Sequence, residues 1–199
     1  MFGVSYASHA GLKKRLGTDH ELARALWATG NHDARVLATK VADPARLTAR
    51  EADAWMRSCD NYVIVEGLAP VVARSPVAAG RAKAWRDRKD EWPASAGWAV
   101  TTLLVPDMPA EDALALLAQI EGEIHGRPNR VRHEMNATLI AIGVRDEPEL
   151  QAEAKRAAAA IGPIHVDHGQ TGCKTPYPIP YIDKALEQGA AKARKKAGT

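Results

Sequence analysis

With 199 residues, 46% of them AVILMFWYC and 26% charged, the chain has the balance of an ordinary folded globule rather than a disordered polymer. Two cysteines allow at most one bridge, and no apolar run reaches the roughly 18 to 20 residues a membrane helix needs, so a disulfide framework, a four-cysteine zinc site and a bilayer span are all excluded. The net charge of +3 sits at the end: Lys184 to Thr199 holds five basic residues against Glu187, which leaves residues 1–183 near −1, so any basic surface on the body must come from arrangement.

Alanine-rich stretches such as Ala157 to Ala160, few aromatics and few alternating β-branched runs predict an all-α protein. Asp19 caps a helix carrying Leu22, Ala25 and Leu26. Asn31 caps the next, through Ala34, Leu37, Ala38 and Val41, until Asp43-Pro44 stops it, and the two are expected to pair antiparallel. Thr48 to Glu51 has capping-box spacing and turns Trp55 inward. Asp60 is expected to cap a helix through Val72, bent near Pro70, and Ser75-Pro76 to start another with proline at its first position. Further on, Trp92 to Val105 reads as a buried helix. Pro109 to Ile124 has the stripe Ala113, Leu116, Leu117 and Ile120, and Asn129 to Ile142 has Val131, Met135, Leu139 and Ile142. A last repeat helix runs from Pro148 to Gly162.

Pairs of helices recurring every 30 to 45 residues or so are the sequence form of an α-solenoid, a right-handed stack of eight to ten helices here, with a plain helical bundle as the alternative. The expected domains are a helical repeat domain over 1–162 and an extension over 163–199 with an irregular segment and a basic terminal helix. No charged-then-apolar leader opens the chain, so the expected location is the cytoplasm, where Cys59 and Cys173 stay reduced.

Three segments carry a family resemblance: Tyr6 to Leu16, Asp19-His20-Glu21-Leu22-Ala23-Arg24-Ala25-Leu26-Trp27, and His32-Asp33-Ala34-Arg35-Val36-Leu37-Ala38-Thr39. Ser75-Pro76 with Trp85, Ala96-Gly97-Trp98-Ala99, and Met135 to Gly143 follow in order. Together they resemble the AlkD-like DNA alkylation repair proteins, the HEAT-like repeat DNA glycosylase relatives, over about three quarters of the chain. The resemblance implies HEAT-like helical pairs with a concave basic groove for duplex DNA, damaged or branched, and in active members hydrolysis of the glycosidic bond of alkylated purines. It also marks the chain as divergent. The positions at which the family carries a tryptophan, an aspartate, an arginine and a second tryptophan fall on Asn61, Val65, Ser95 and Ala137. Depurination builds positive charge on the sugar, which a carboxylate stabilises and Val65 does not. Glu66 stands one residue away, turned by about 100° on a helix. No catalytic residue is therefore assigned.

Residues suited to nucleic acid remain. His32, Arg35 and Thr39 share one helix face, and Arg132 and Asn136 share another close to Arg130. The nucleic-acid contacts expected are His32, Arg35, Arg130, Arg132 and Asn136, holding phosphates without reading bases. His165, Asp167, His168 and Cys173 offer ligand types that suit zinc, yet their spacing matches no strong motif, and neither metal nor cofactor is expected. A cysteine nucleophile at Cys173 with His165 or His168 as base lacks a third orienting group. Most of the five tryptophans are expected to be core anchors, with Trp92 the candidate for exposure, and the cations Lys192, Arg194, Lys195 and Lys196 to add salt-sensitive affinity for polyanions. The alternative to DNA binding is a helical-repeat scaffold for a protein partner.

Overall fold

Three of the short polar residues that mark helix starts in the sequence do so in the fold as well. In a computed structural model, which describes residues 3–197 apart from the side chains of Tyr6 and 192–197, Asp19, Asn31 and Thr48 accept the backbone amides of Leu22, Ala34 and Glu51 at 2.9, 3.2 and 3.2 Å. The tail cations Lys192, Arg194, Lys195 and Lys196 therefore lie outside the described side chains. Eleven α-helices and no strand occur among the described residues, and the chain packs as two units, Met1–Leu103 and Leu104–Thr199.

The first unit contains α1 (Tyr6–Leu16), α2 (His20–Ala28), α3 (His32–Val41), α4 (Ala49–Arg57), α5 (Tyr62–Ala73), α6 (Ala78–Arg86) and most of α7 (Glu91–Leu104). α1 is a helix the punctuation did not mark; Ser5 caps it by accepting the Ser8 amide. α2 and α3 form the expected antiparallel pair, tied by the Asp19 amide on the Val41 carbonyl at 2.8 Å. α3 packs on both α1 and α5 through Val36, Leu37, Ala38 and Val41, all buried. Asp53 of α4 accepts Arg81 Nη1 at 2.7 Å and Trp85 Nε1 at 2.8 Å, which fastens α6 onto α4.

Three local expectations are corrected. Asn61, not Asp60, caps α5: its side-chain oxygen takes the Ile64 amide, while Asp60 is occupied by the Asn61 Nδ2 at 2.6 Å. The box at Thr48 is half formed, because the Glu51 carboxylate faces His20 and Arg24 instead of its own helix start. Ser75-Pro76 is a turn before α6 and not its first residue. Ser75 donates to the Val72 carbonyl at 2.7 Å and accepts the Val77 amide, so the helix begins at Ala78.

The second unit holds α8 (Ala110–Glu123), α9 (Asn129–Gly143), α10 (Pro148–Ile161) and α11 (Pro178–Ala197). The two stripes read from the sequence are its core: Ala113, Leu116, Leu117 and Ile120 on α8, and Val131, Met135, Leu139 and Ile142 on α9, are all buried. α10 ends at Ile161, with Gly162 at φ +70° as its stop. Arg145 closes the α9–α10 link by pairing with Glu147 and donating to the Val105 and Met108 carbonyls. The irregular stretch after Gly162 ends where α11 starts at Pro178, a position that loses nothing by lacking an amide.

Trp27, Trp55, Trp85 and Trp98 are buried and Trp92 is partly exposed. Among the described residues, no helix is long and apolar enough to cross a membrane.

Gly97 sets the spacing of α6 and α7. A Cβ there would lie 2.1 Å from the Arg86 amide nitrogen and 2.6 Å from the Trp85 carbonyl carbon, both backbone atoms that do not rotate away. Gly97→Ala is expected to lower unfolding free energy by about 1–3 kcal/mol, whereas Gly122→Ala on the open face of α8 gains up to about 1 kcal/mol from helix propensity. Urea midpoints of the two variants against the parent check both signs.

Candidate nucleic-acid interface

α3 and α5 run side by side in one direction. Asn61 Nδ2 approaches His32 Nδ1 at 3.5 Å where they start, and Thr39 meets Gly67 further along, where a Cβ on the glycine would lie 2.9 Å from Thr39 Oγ1. This places His32 and Asn61 at one end of a shared face and Glu66 toward the other. Glu66 is exposed and lines a cleft of about 540 Å³ whose other polar and charged walls include Lys13, Thr18, Lys40 and Arg74. Thr39 is buried and gives its hydroxyl proton to the Val36 carbonyl, so it is a packing residue.

The neighbouring positions are closed to chemistry. Val65 is 0% exposed, in the core between Ile64 and Leu68. Ser95 is buried too, its hydroxyl without a hydrogen-bond partner among the described residues. Burial pushes the Cys59 thiol up to about 12, an effect that Arg35 partly offsets and Asp60 reinforces, so no thiolate nucleophile forms there near neutral pH.

Arg35 is half-buried. Its Nη1 donates to the Ser58 carbonyl at 3.1 Å and its guanidinium lies 5.6 Å from the Trp27 ring centroid. Trp27 is stacked on Trp55 at 4.5 Å and 7°, and its Nε1 donates to Ser58 Oγ at 2.9 Å. Beside this stack a second cleft, of about 670 Å³, opens between α2 and α4, with Arg24, Arg35, Arg46, Arg50 and Arg57 on its walls against one carboxylate, Glu51. The sequence reading did not single out four of these arginines. Their signal was present in the spacing Arg50, Ala54, Arg57, one exposed stripe of a helix, but without the facing helix it resembles any solvated face.

In the second unit the expected contacts on α9 are spread over depth. Asn136 is 1% exposed and donates to the Pro176 carbonyl at 3.0 Å; Arg130 is 9% exposed; Arg132 and His133 are partly exposed. The extension lies along this helix, because Asn129 exchanges two hydrogen bonds of 2.7 Å with the Asp167 backbone and His133 stands edge-on to His168 at 5.5 Å. His168 Nε2 in turn pairs with Thr175 Oγ1 at 3.0 Å, while Cys173 is an exposed free thiol. The polar side chains of this stretch thus largely organise the loop and its seat on α9.

The sequence profile described as DNA alkylation repair enzyme matches residues 5–164. The chain belongs to that family. Similar proteins include an uncharacterised protein of Listeria innocua, 30% identical over 87% of this chain and 77% of that protein, and one of Listeria monocytogenes, 29% identical over the same shares. A solved structure described as "A new family of proteins related to the HEAT-like repeat DNA glycosylases with affinity for branched DNA structures" is similar with a TM-score of 0.84 and 26% identity, covering 94% of this chain and 82% of its own. This DNA alkylation repair family member accordingly has the all-α, HEAT-like helical-repeat fold that its sequence implied.

His133 gives the fold of this family member a pH dependence. Burial, then Arg130, then His168 push its imidazole down to about 4, so the folded protein keeps it neutral while the unfolded chain takes up a proton near 6.5. Stability is full above the unfolded value and declines as pH falls from about 6.5 toward 4. With allowance for partial exposure, about 1–2 kcal/mol is expected to be lost between pH 7 and pH 4.5, and unfolding titrations of His133→Gln should lack that share of the slope.

Proposed function

We propose that this protein binds duplex DNA, branched forms included, and does not efficiently excise alkylated bases. The observation that carries the reading is Val65, fully buried on α5 at the register where the family's carboxylate is expected. A valine in the core neither stabilises a cationic sugar nor positions water, and stabilisation of that kind is commonly the largest single part of catalysis. Asn61 serves as a helix cap, Ser95 is buried, and Ala137 offers no aromatic face.

Binding is supported separately. Family membership and the affinity for branched DNA reported for the similar solved structure make DNA the leading ligand. Charge at the α3–α5 face agrees, because Lys13, Lys40 and Arg74 outnumber Glu66 around the 540 Å³ cleft. His32 and Arg132 are half-exposed phosphate contacts in this reading, Arg35 faces the α2–α4 cleft, Arg130 is nearly buried, and Asn136 holds the extension against α9. Contacts of this class do not read sequence, so little base preference is expected.

Single-turnover assays on duplex DNA bearing 7-methylguanine or 3-methyladenine are expected to show release at least about 100-fold slower than by catalytically complete family members, near the uncatalysed background. Binding of the same duplex, followed by fluorescence anisotropy, is expected at low salt and to weaken steeply as salt is raised. Robust excision abolished by Glu66→Gln would overturn the non-catalytic half of the proposal. Absence of DNA binding even at low salt would overturn the other half.

A further inference from the structure

We propose that the α2–α4 cleft of the first unit holds the phosphate backbone of a second DNA arm, with Arg50 and Arg57 as its principal phosphate ligands. The inference rests on the DNA-binding reading above and assigns a separate surface to the branch.

The first argument is charge left uncompensated. On a solvated helix, arginines commonly pair with carboxylates three or four residues away. Asp53 occupies that place for both, three residues after Arg50 and four before Arg57, but it is committed to Arg81 and Trp85 of α6. Asp60, three residues after Arg57, accepts from Asn61. Arg50 and Arg57 consequently have no ion-pair partner among the described residues, whereas Arg24 and Arg46 on the same walls are tied to Glu51 and Glu21.

Shape supplies the second argument. Arg50 and Arg57 are seven residues apart, two turns, and so project from one face about 10 Å apart along the helix. Phosphates of one strand rise about 3.4 Å per step along the duplex axis and also wind around it, so the two guanidiniums reach phosphates about one or two steps apart on one strand. Between them stands Ala54, and Ala28 lines the cleft from α2; both are exposed and small, which leaves room for an elongated polyanion to lie close. The donors are spread along a track instead of converging on one point, as a small free anion would require.

The third argument is separateness. This cleft shares no lining residue with the one that contains Glu66: the first is walled by α2, α4 and the adjoining turns, with Arg35 from α3, and the second by α1, α3, α5 and adjoining loop residues. Two basic clefts on one unit suit a ligand that presents two duplex segments at once.

The test measures binding of a linear duplex and of a three-way junction with matched arms, by anisotropy over a range of salt, for the parent chain, Arg50→Glu/Arg57→Glu and the milder Arg50→Ala/Arg57→Ala. The glutamate pair is expected to lose about tenfold or more in junction affinity with linear duplex affinity within about twofold, and the alanine pair to lower the junction salt slope by about 1 to 2. Both residues are exposed, so thermal melts should stay at the parent value. If the parent binds neither DNA, the DNA-binding reading itself fails. If the parent binds the junction and both variants match it, the cleft assignment alone fails. Equal losses on linear duplex and junction would place the cleft on a single continuous surface and overturn the second arm. Inorganic phosphate replacing chloride at equal ionic strength should leave the parent's junction preference intact, and its erasure would mark a small-anion site. Poly-glutamate displacing the junction more effectively than single-stranded oligonucleotide of equal charge would point to an acidic protein instead.

Discussion

Ser58, at the end of α4, receives the Trp27 indole N–H, gives its own hydroxyl proton to the Trp55 carbonyl at 2.8 Å, and offers its backbone carbonyl to Arg35. Around that one residue the stacked tryptophans and the guanidinium close a network joining α2, α3 and α4. An exposed serine would contribute little. Here three hydrogen bonds meet on a half-buried serine beside two buried indole rings, and removing any partner leaves a partly sheltered donor or acceptor unmet, which is the costly case. The register of α2 against α4, and with it the line of arginines above the stack, follows from this knot. Glu51 reinforces it from the other side by bridging His20 at 3.0 Å and Arg24 at 3.1 Å.

The two ends of the chain's chemistry are handled by different physical means. In the first unit, cations stand on open faces because the carboxylates that would neutralise them are drawn off by neighbouring helices, Asp53 to α6 and Asp60 to Asn61. In the second, polar side chains on α9 are largely taken up by the extension, with Asn129 and Asn136 serving as its backbone clamps. Polar residues on two helix faces therefore mean different things. What separates them is the supply of local partners, not the residues themselves.

That difference explains what was legible in the sequence. Caps and apolar stripes are local, so Asp19, Asn31, Thr48 and the stripes of α8 and α9 were readable, and the fold class with them. Errors arose where two neighbours compete for one role: Asp60 and Asn61 are both good caps, and only Asn61 is free to turn its oxygen inward once Asp60 holds its amide. Ser75-Pro76 carried a helix-start signature, but the serine's bonds to Val72 and Val77 fix a turn there. At the candidate site, spacing showed that Arg132 and Asn136 share a side of α9. It did not show that the Pro176 carbonyl would claim Asn136. The α2–α4 arginines went unremarked for the same reason, since a cleft needs two walls and the pattern describes one.

Gly97 has a mechanical consequence. Side-chain contacts between helices yield, because methyl groups slide and rotamers change, but at Gly97 the main chain of α7 rests on the main chain of α6 with nothing soft between them. The α6–α7 hairpin is therefore the stiff link of its unit. Compliance belongs to α5, where Pro70 removes one rung of the hydrogen-bond ladder within a continuous helix and Arg74 Nε reaches back to the Pro70 carbonyl at 2.9 Å. A load applied along the α3–α5 face is met by a beam already notched at one point and braced by a hairpin that does not give.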